Sequence, residues 1–263
     1  MIIGSHVDQV DPIAEARARG AQAVQIFLGD PKDFKKVSVA HAGGAVGLRE
    51  EAEAAGIDIY VHSHYVINVA STNNRIRVPS RKLLQSIVNL SAEIGAKGVV
   101  VHGGHVTKDE DPEVGFDNWR KCVDGLEMPV PIFIENTAGG SNAMARGVDR
   151  LTQLWEAVRA ADGGDEVGFC LDTCHAYAGG EELEGLVPRL LAVTGRIDLV
   201  HANDSRGAFN SGVDRHANLG RGTLPPDELV AVIREAQAPV IVETPGEAPD
   251  QAADIQWLRE RLA

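Results

Sequence analysis

The amino-acid sequence predicts an α/β fold in which eight parallel strands, each followed by a helix, close into a barrel. Three observations support this prediction. Eight short apolar runs recur about 20 to 40 residues apart, helical patterns lie between most of them, and no linker or low-complexity segment divides the chain. We therefore expect residues 1–263 to form a single (β/α)8 TIM-barrel domain.

Each apolar run has the length of a short strand. In chain order the runs are residues 2–7, 23–28, 57–62, 98–102, 131–135, 167–172, 197–201 and 239–243. Helical patterns cover residues 48–56, 81–95, 150–161 and 227–236, and glycines 20, 56 and 95 stand where helices commonly end. The main alternative is an open doubly wound sheet. That fold usually has a glycine-rich phosphate loop after its first strand, but SHVDQVDP stands there instead.

Composition limits the class of protein. With 263 residues, 44% hydrophobic residues and 28 glycines, the chain can bury a large core and make many tight turns. No apolar run approaches the roughly 20 residues of a membrane helix, and the first residues, MIIGSHVDQ, lack the pattern of a signal peptide. Three cysteines cannot form a fully paired framework. We expect a cytoplasmic protein without a membrane partner.

Six of the predicted strands end in a residue that binds metals well. These residues are His62, His102, Glu135, Asp172, His201 and Glu243, and His175 follows shortly after one of them. In a barrel the carboxyl ends of the strands converge on one face. Each residue alone is more typical of a hydrogen-bonded core histidine or a helix cap. Together they predict a metal cluster, because burying so many ionisable groups costs several kcal/mol each without compensating cations.

The segment VGFCLDTCH, residues 167–175, illustrates the pattern. Its apolar side chains alternate with the period of a strand and end at Asp172. Asp172 and His175 share a face only if the chain becomes helical directly after the strand. The simpler interpretation is a buried strand whose Asp172 caps the next helix. The mixture of imidazoles and carboxylates favours zinc or manganese over calcium or magnesium.

A long loop, residues 203–224, follows the seventh strand and has no helical period. Loops of this length in a compact domain are usually functional. Asp214 and His216 are two residues apart and would point the same way in an extended chain, which suits a further pair of ligands. The alternative is a surface turn in which Asp214 pairs with Arg215.

The whole chain resembles the endonuclease IV family, which is AP endonuclease family 2 among the xylose-isomerase-like TIM barrels. The matching motifs span nearly the full length. They are IGSHV from Ile3, HSHYVIN from His62, VHGGH from Val101, IENTAG from Ile134, CLDTCHA from Cys170, HANDS from His201, GVDRHANLGRG from Gly212 and IVETP from Ile241.

The resemblance implies three zinc ions held by nine ligands, with manganese as an alternative at one site. The expected groups are His62 and His102 for one ion, Asp172, His201 and Glu243 for a second, and His175, Asp214 and His216 for a third. Glu135 would bridge the first two ions and orient the nucleophilic hydroxide. His64 and His105 would not be ligands.

The implied function is that of a zinc-dependent apurinic/apyrimidinic endonuclease in DNA base excision repair. Such an enzyme hydrolyses the phosphodiester on the 5′ side of an abasic site and leaves a 3′-hydroxyl and a 5′-deoxyribose phosphate. Trimming of blocked 3′ ends is also expected. The implied partner is double-stranded DNA that contains an abasic site, and the protein is expected to be a monomer.

The loops after strands two and three are expected to contact DNA. Lys32 and Phe34 stand where the family has an Arg and a Trp, and Tyr65 and Val66 replace its Tyr-Leu pair. The other expected contacts are Asn68 and Arg215. Tyr65 should carry more of the stacking, because lysine cannot stack as a guanidinium does. The alternative is that Tyr65 packs under its loop against Ile67.

The net charge of −13 argues against binding to DNA by simple electrostatics. Three divalent ions would add about +6 locally. The acidic segment KDEDPE, residues 108–113, remains a counter-indication, because it follows the fourth strand and should lie on the binding face. Two other functions stay open from the residues. One is a metal-dependent sugar isomerase or epimerase on the same barrel, and the other is a metal-stabilised binding protein.

Overall fold

A computed structural model describes residues 1–140 and 142–263. Eight parallel strands close into a barrel in the order β1-β10-β7-β6-β5-β4-β3-β2, which confirms the predicted fold class. The barrel strands are β1 (Ile3–His6), β2 (Ala23–Ile26), β3 (Asp58–His62), β4 (Val99–His102), β5 (Ile132–Glu135), β6 (Gly168–Asp172), β7 (Leu199–His201) and β10 (Val240–Val242). A separate antiparallel pair consists of β8 (Asp204–Ser205) and β9 (His216–Ala217).

Helices follow the strands around the outside of the barrel. They are α1 (Pro12–Arg19), α2 (Gly44–Ala55), α3 (Asn74–Glu93), α4 (Pro112–Val123), α5 (Gly147–Arg159), α6 (Thr173–Gly179), α7 (Leu186–Thr194), α8 (Pro226–Ala236) and α9 (Ala248–Leu262). A 3-10 turn covers Gly164–Glu166. The predicted terminal glycines behave as expected: Gly20 and Gly56 end α1 and α2 in the left-handed conformation.

Helix α3 begins earlier than the sequence pattern predicts, at Asn74 instead of position 81. A proline inside a helix removes a backbone hydrogen bond and usually interrupts it. In the structure Pro79 lies inside α3, and the Asn73 side chain caps the helix by accepting a hydrogen bond from the Arg75 N–H. Ile76, in these extra turns, lines a pocket together with Tyr65 and His102 at the mouth of the barrel.

The core has two layers because strand side chains alternate between two faces. Inside the barrel lies a small apolar cluster of Ala23, Tyr60, Val100, Phe133, Cys170, Leu199 and Ile241. The larger layer fills the space between the strands and the helices, and it includes Val167, Phe169 and Leu171. Gly4 allows β1 to approach β2 closely, since a Cβ at this position would lie 2.2 Å from the Ala23 carbonyl oxygen. The apolar interior stops below the ends of the strands, where the polar side chains begin.

Candidate metal centre

The residues predicted at the strand ends come together at the carboxyl-terminal mouth of the barrel. The register of the parallel strands places His102 beside Glu135 and Asp172 beside His201. His62 ends β3, and Glu243 directly follows β10. Among residues 1–140 and 142–263 four overlapping groups of donor atoms result, and the atoms within each group lie within 4.8 Å of one another.

The first group contains His62, His102 and Glu135. Glu135 Oε2 lies 3.3 Å from His62 Nε2 and 3.2 Å from His102 Nε2. Although Glu135 is fully buried, Oε2 has no hydrogen-bond partner among residues 1–140 and 142–263. A buried carboxylate oxygen normally has a partner. Three donors that face one another without hydrogen bonds fit a bound cation.

The second group contains Glu135, Asp172, His201 and Glu243. His201 Nδ1 lies 3.0 Å from Glu135 Oε1 and 3.2 Å from Glu243 Oε2. This group therefore places three carboxylates around one imidazole in a buried site. Such an excess of negative charge needs a cation to offset it.

The third group contains Asp172, His175 and His216, and Asp214 lies against both histidines. Helix α6 begins directly after β6, so Asp172 accepts a hydrogen bond from the His175 N–H at 2.6 Å and His175 turns towards the cluster. Asp172 thus has both of the roles that the sequence analysis considered as alternatives: it caps α6 and it lies among the donors. Asp214 contacts His175 Nε2 at 3.2 Å and His216 Nε2 at 3.3 Å.

The short pair of strands β8 and β9 holds the loop that carries Asp214 and His216. Ser205 pairs with His216 in this antiparallel ladder. The Asp204 carboxylate strengthens the fold of the loop, because it accepts hydrogen bonds from the N–H groups of Gly222 and Leu224. The sequence predicted the loop and its extended donor pair, but the ladder itself was too short to recognise.

Three of the clustered histidines are oriented by backbone carbonyls. His62 Nδ1 lies 2.7 Å from the Ser63 oxygen, and His175 Nδ1 lies 2.9 Å from the Asn136 oxygen. His216 Nδ1 lies 3.3 Å from the Glu243 oxygen. A carbonyl can only accept, so each Nδ1 carries a proton and Nε2 is the atom that faces the cluster. This is the tautomer that a histidine needs to bind a metal through Nε2.

The ionisation of the cluster reflects its crowding. Burial acts to raise the pKa of Glu135, but His201 and His102 outweigh it and hold this pKa well below its usual range. Burial raises the pKa of Asp172. Burial acts to lower the pKa of His216, whereas Asp214 and Asp172 raise it to about 9. The carboxylates thus depend on nearby positive charge, which protons supply unless metal ions replace them.

Two asparagines to which the sequence analysis assigned no role form hydrogen bonds to the metal-donor residues. Asn136 pairs with the Asp172 backbone through both ends of its amide, at 2.7 and 2.9 Å. Asn203 donates to Asp172 Oδ2 at 2.7 Å and accepts from the Glu243 N–H at 2.9 Å. Asn136 and Asn203 closely follow Glu135 and His201 in the sequence. This proximity could have indicated their role, since residues that bind a metal are usually hydrogen-bonded by neighbouring polar side chains.

The two histidines expected not to be ligands lie outside the four donor groups. Both ring nitrogens of His64 face backbone carbonyls, those of Leu28 at 2.9 Å and Asp33 at 3.1 Å. His105 is joined to Asn68 through its backbone. Cys174 was not predicted as a donor, yet its sulfur lies close to Asp214 and His216. Burial raises the pKa of this thiol to about 12, which makes it a weak ligand at neutral pH.

Tyr65 stands over the mouth of the barrel. Its ring centroid lies 5.7 Å from that of His62 and 6.2 Å from that of His102, and 56% of the residue is exposed. It therefore does not pack under its own loop against Ile67. A cavity of about 420 Å³ separates Tyr65 from Arg215, with Asp214 among its other lining residues.

The other expected DNA contacts occupy different environments. Lys32, Phe34 and Arg215 are exposed. Val66 is half-buried and packs against the core. The amide of Asn68 binds the His105 backbone, so it joins two loops at the rim.

The acidic segment after β4 is partly used by the fold. Glu110 accepts hydrogen bonds from the Thr72 hydroxyl and from the Thr107 N–H, and the first of these contributes most to lowering its pKa. Asp111 caps α4 by accepting from the Glu113 N–H at 3.0 Å. These two carboxylates stabilise the loop through hydrogen bonds. The acidic segment is therefore a weaker argument against DNA binding than the sequence alone suggested.

None of the helices within the described ranges has both the length and the apolar character needed to cross a membrane.

A closed parallel barrel with histidine and carboxylate donors at its strand ends defines the class of metal-binding TIM-barrel enzymes. Residues 13–261 match the family described as xylose isomerase-like TIM barrel. The probable endonuclease 4 of Mycobacterium ulcerans (strain Agy99) is 52% identical over 265 residues, which cover 100% of this chain and 99% of the relative. That of Mycobacterium leprae (strain Br4923) is 50% identical and is covered over 100% of both chains. The chain belongs to the endonuclease IV family.

Solved structures agree with this assignment. Endonuclease IV from Thermus thermophilus is similar with a TM-score of 0.85 and 27% identity, covering 100% of this chain and 99% of that one. A D-tagatose 3-epimerase-like protein also superposes, with a TM-score of 0.82 and 20% identity, covering 100% of this chain and 97% of that one. The second likeness shows the fold alone. Side chains at the mouth of the barrel must therefore decide the chemistry.

Proposed function

We propose that this protein is an apurinic/apyrimidinic endonuclease of base excision repair. It hydrolyses the phosphodiester 5′ to an abasic site, leaving a 3′-hydroxyl and a 5′-deoxyribose phosphate, and it trims blocked 3′ ends. The observation that carries the proposal is the extent of the donor cluster, in which the loop pair Asp214 and His216 extends the strand-end groups. The relatives named probable endonuclease 4 support the same activity.

The donors divide into three sites. We assign His62 and His102 to one ion, Asp172, His201 and Glu243 to a second, and His175, Asp214 and His216 to a third, with Glu135 shared by the first two. Imidazole and carboxylate together suit zinc, with manganese as an alternative at one site. When bound, such ions lower the pKa of water towards neutrality and offset negative charge on phosphoryl oxygens. Within the described residues, neither Oε2 of Glu135 nor Nε2 of His216 makes a hydrogen bond, which fits this assignment.

Glu135 is the catalytic residue of this proposal, because it holds the first two groups in one fixed arrangement. Its Oε2 faces His62 and His102, whereas its Oε1 faces His201 at 3.0 Å. The carboxylate is fully buried, so bulk water does not weaken its charge. It thereby fixes the position at which a nucleophile meets the phosphorus.

The substrate approaches from the loop side of the cluster. The cavity between Tyr65 and Arg215 opens beside Asp214 and His216, and Arg206 also lines it. These two arginines provide positive charge for the DNA backbone in a chain whose net charge is −13. An abasic nucleotide is extruded at lower cost than a normal one, because it has no base to unstack.

The test is incubation with a duplex that contains one abasic site and with the same duplex without it. We expect a single nick 5′ to the lesion, and a DNA polymerase should extend the new 3′-hydroxyl directly. A nick 3′ to the lesion, or equal cutting of the undamaged duplex, would contradict the proposal. Conversion of a ketohexose to its epimer, with intact DNA, would instead favour the sugar epimerase.

Tyr65 is predicted to stack in the gap that the lesion leaves. Tyr65→Ala should weaken binding to the abasic duplex at least about tenfold, since stacking is worth about 1 to 3 kcal/mol per base. Lys32→Arg should tighten binding, because a guanidinium stacks better than an ammonium group. Equilibrium binding in a chelator-free buffer measures both effects.

Tyr65→Phe is the matched control, because it keeps the ring. Burial raises the pKa of Tyr65 to about 12, so this change alters no charge at neutral pH. It should bind within about twofold of the parent. A Tyr65→Ala protein that binds normally, melts early or loses metal would refute the stacking role.

The domain, assembly and location belong to the same proposal. The whole chain, residues 1–263, acts as one domain, since β10 pairs with β1 and thereby joins the two ends of the chain. It works as a monomer in the cytoplasm, with Lys32, Phe34, Tyr65, Val66, Asn68 and Arg215 as its DNA contacts.

A further inference from the structure

Gln25 is a polar side chain in the last inward-facing position of β2. It shares the inner face of this strand with Ala23, which belongs to the apolar interior of the barrel. Gln25 has no solvent exposure. Burying an amide is costly unless its hydrogen bonds are made, so its partners indicate why the residue is present.

The amide contacts three side chains at the mouth of the barrel. Gln25 Nε2 lies 2.6 Å from Glu243 Oε1 and 3.0 Å from His6 Nδ1. Gln25 Oε1 lies 2.8 Å from His201 Nε2. These contacts use both N–H groups and the oxygen of the amide.

The orientation of this amide is forced by its neighbour. The Glu243 carboxylate can only accept, so the nitrogen end of Gln25 must face it. The oxygen end then faces His201, whose Nε2 must carry a proton and donate it to this hydrogen bond. The remaining ring nitrogen, Nδ1, is directed at Glu135 Oε1 and Glu243 Oε2.

His201 therefore differs from the other oriented histidines of the cluster. Backbone carbonyls fix the rings of His62, His175 and His216, and no side-chain substitution removes a carbonyl. The ring of His201 is fixed by a side chain instead. The same side chain also holds Glu243, a second donor of the same group.

We infer that Gln25 is a positioning residue for the metal centre: it selects the His201 tautomer whose Nδ1 binds the ion and aligns Glu243 for the same ion. The inference rests on the proposed metal site, not on the DNA substrate. It assigns no contact between Gln25 and the metal or the phosphate. Removing such a supporting hydrogen bond typically lowers metal affinity about 10- to 100-fold.

The test compares two buried glutamines. Gln25→Leu removes all three contacts at similar volume. Gln251→Leu is the matched control, because Gln251 is also buried but binds Ser5, Arg19 and the Thr244 backbone instead of the donor cluster. Metal-free protein is titrated with zinc in competition with a chromophoric chelator, and thermal unfolding checks the fold of each variant.

We expect Gln25→Leu to bind the ion assigned to Asp172, His201 and Glu243 about 10- to 100-fold less tightly than the parent, whereas Gln251→Leu binds all ions as the parent does. Long-range 1H–15N NMR of the zinc-loaded protein should show one zinc-bound imidazole with a protonated Nε2 in the parent and a changed signal for it in Gln25→Leu. His201→Gln identifies that signal. Equal zinc affinity and an unchanged imidazole signal in Gln25→Leu would overturn the inference.

Gln25→Glu separates the two roles and guards against a folding defect in the leucine variant. An ionised glutamate can still accept from His201 Nε2, but unlike an amide or a protonated acid it cannot donate to Glu243. We expect the His201 signal to persist while zinc affinity falls. Parent-like zinc affinity in this variant would refute the alignment of Glu243. Because none of these readouts uses DNA, a parent protein that binds zinc but leaves abasic DNA intact would refute the proposed function alone.

Discussion

Glu135→Gln is expected to lower the rate of abasic-site cleavage by a factor of about a hundred to a thousand or more. The amide keeps the shape of the side chain but removes the negative charge shared by two donor groups. It also replaces one acceptor oxygen with an N–H group, which cannot bind a cation. The site should then hold its first two ions less firmly, and the nucleophile should be misplaced.

Single-turnover cleavage of the abasic duplex measures this effect without interference from product release. Binding of the duplex should persist, because phosphate contacts and the other donors remain. Glu110→Gln is the control: this acid lies in the loop after β4 on the same face, and in the variant the amide oxygen can accept from the Thr107 N–H while the NH2 group donates to the Thr72 hydroxyl oxygen. Near-parental cleavage by Glu135→Gln would show that its bridging role is wrong.

His216→Ala should release one ion and strongly reduce cleavage. The third donor group is the most exposed one, since 55% of the Asp214 side chain is accessible and both Asp214 and His216 come from a loop. Without the imidazole, Asp214 loses one of its two histidine contacts. The variant should lose this ion at chelator concentrations that leave the parent intact.

Metal content after a graded chelator treatment measures that loss, with His105→Ala as the control. His105 lies on the same face but outside the four donor groups. Its loop contacts to Asn68 run mainly through the backbone, which alanine retains. A His216→Ala protein that keeps the metal content of the parent throughout the titration would exclude the loop from the metal site.

The strand ends could be predicted because two regular features coincide there. Apolar alternation along residues 167–172 identifies a strand, and the barrel brings the carboxyl ends of all its strands to one face. Asp172 and His175 then follow from the immediate start of α6. Local pattern and global topology thus indicate the same cluster.

Other features depend on contacts between distant parts of the chain. Gln25 interrupts an apolar run, yet only the barrel brings it within 2.8 Å of His201, which lies 176 positions later. The early start of α3 depends on the Asn73 cap and on tolerance of Pro79, which propensity alone disfavours. The packing of the half-buried Val66 against the core likewise depends on the fold of its loop. These features are determined by packing between distant parts of the chain, which cannot be predicted from a local sequence pattern.

The number of metal ions bound by each chain tests the central claim most directly. The converging donor groups predict close to three transition-metal ions per chain, mostly zinc, in protein purified without chelator. Elemental analysis against an accurate protein concentration gives this number. A value near three supports the proposed metal centre. A value of one or less would contradict it and would favour the simpler site of a sugar epimerase.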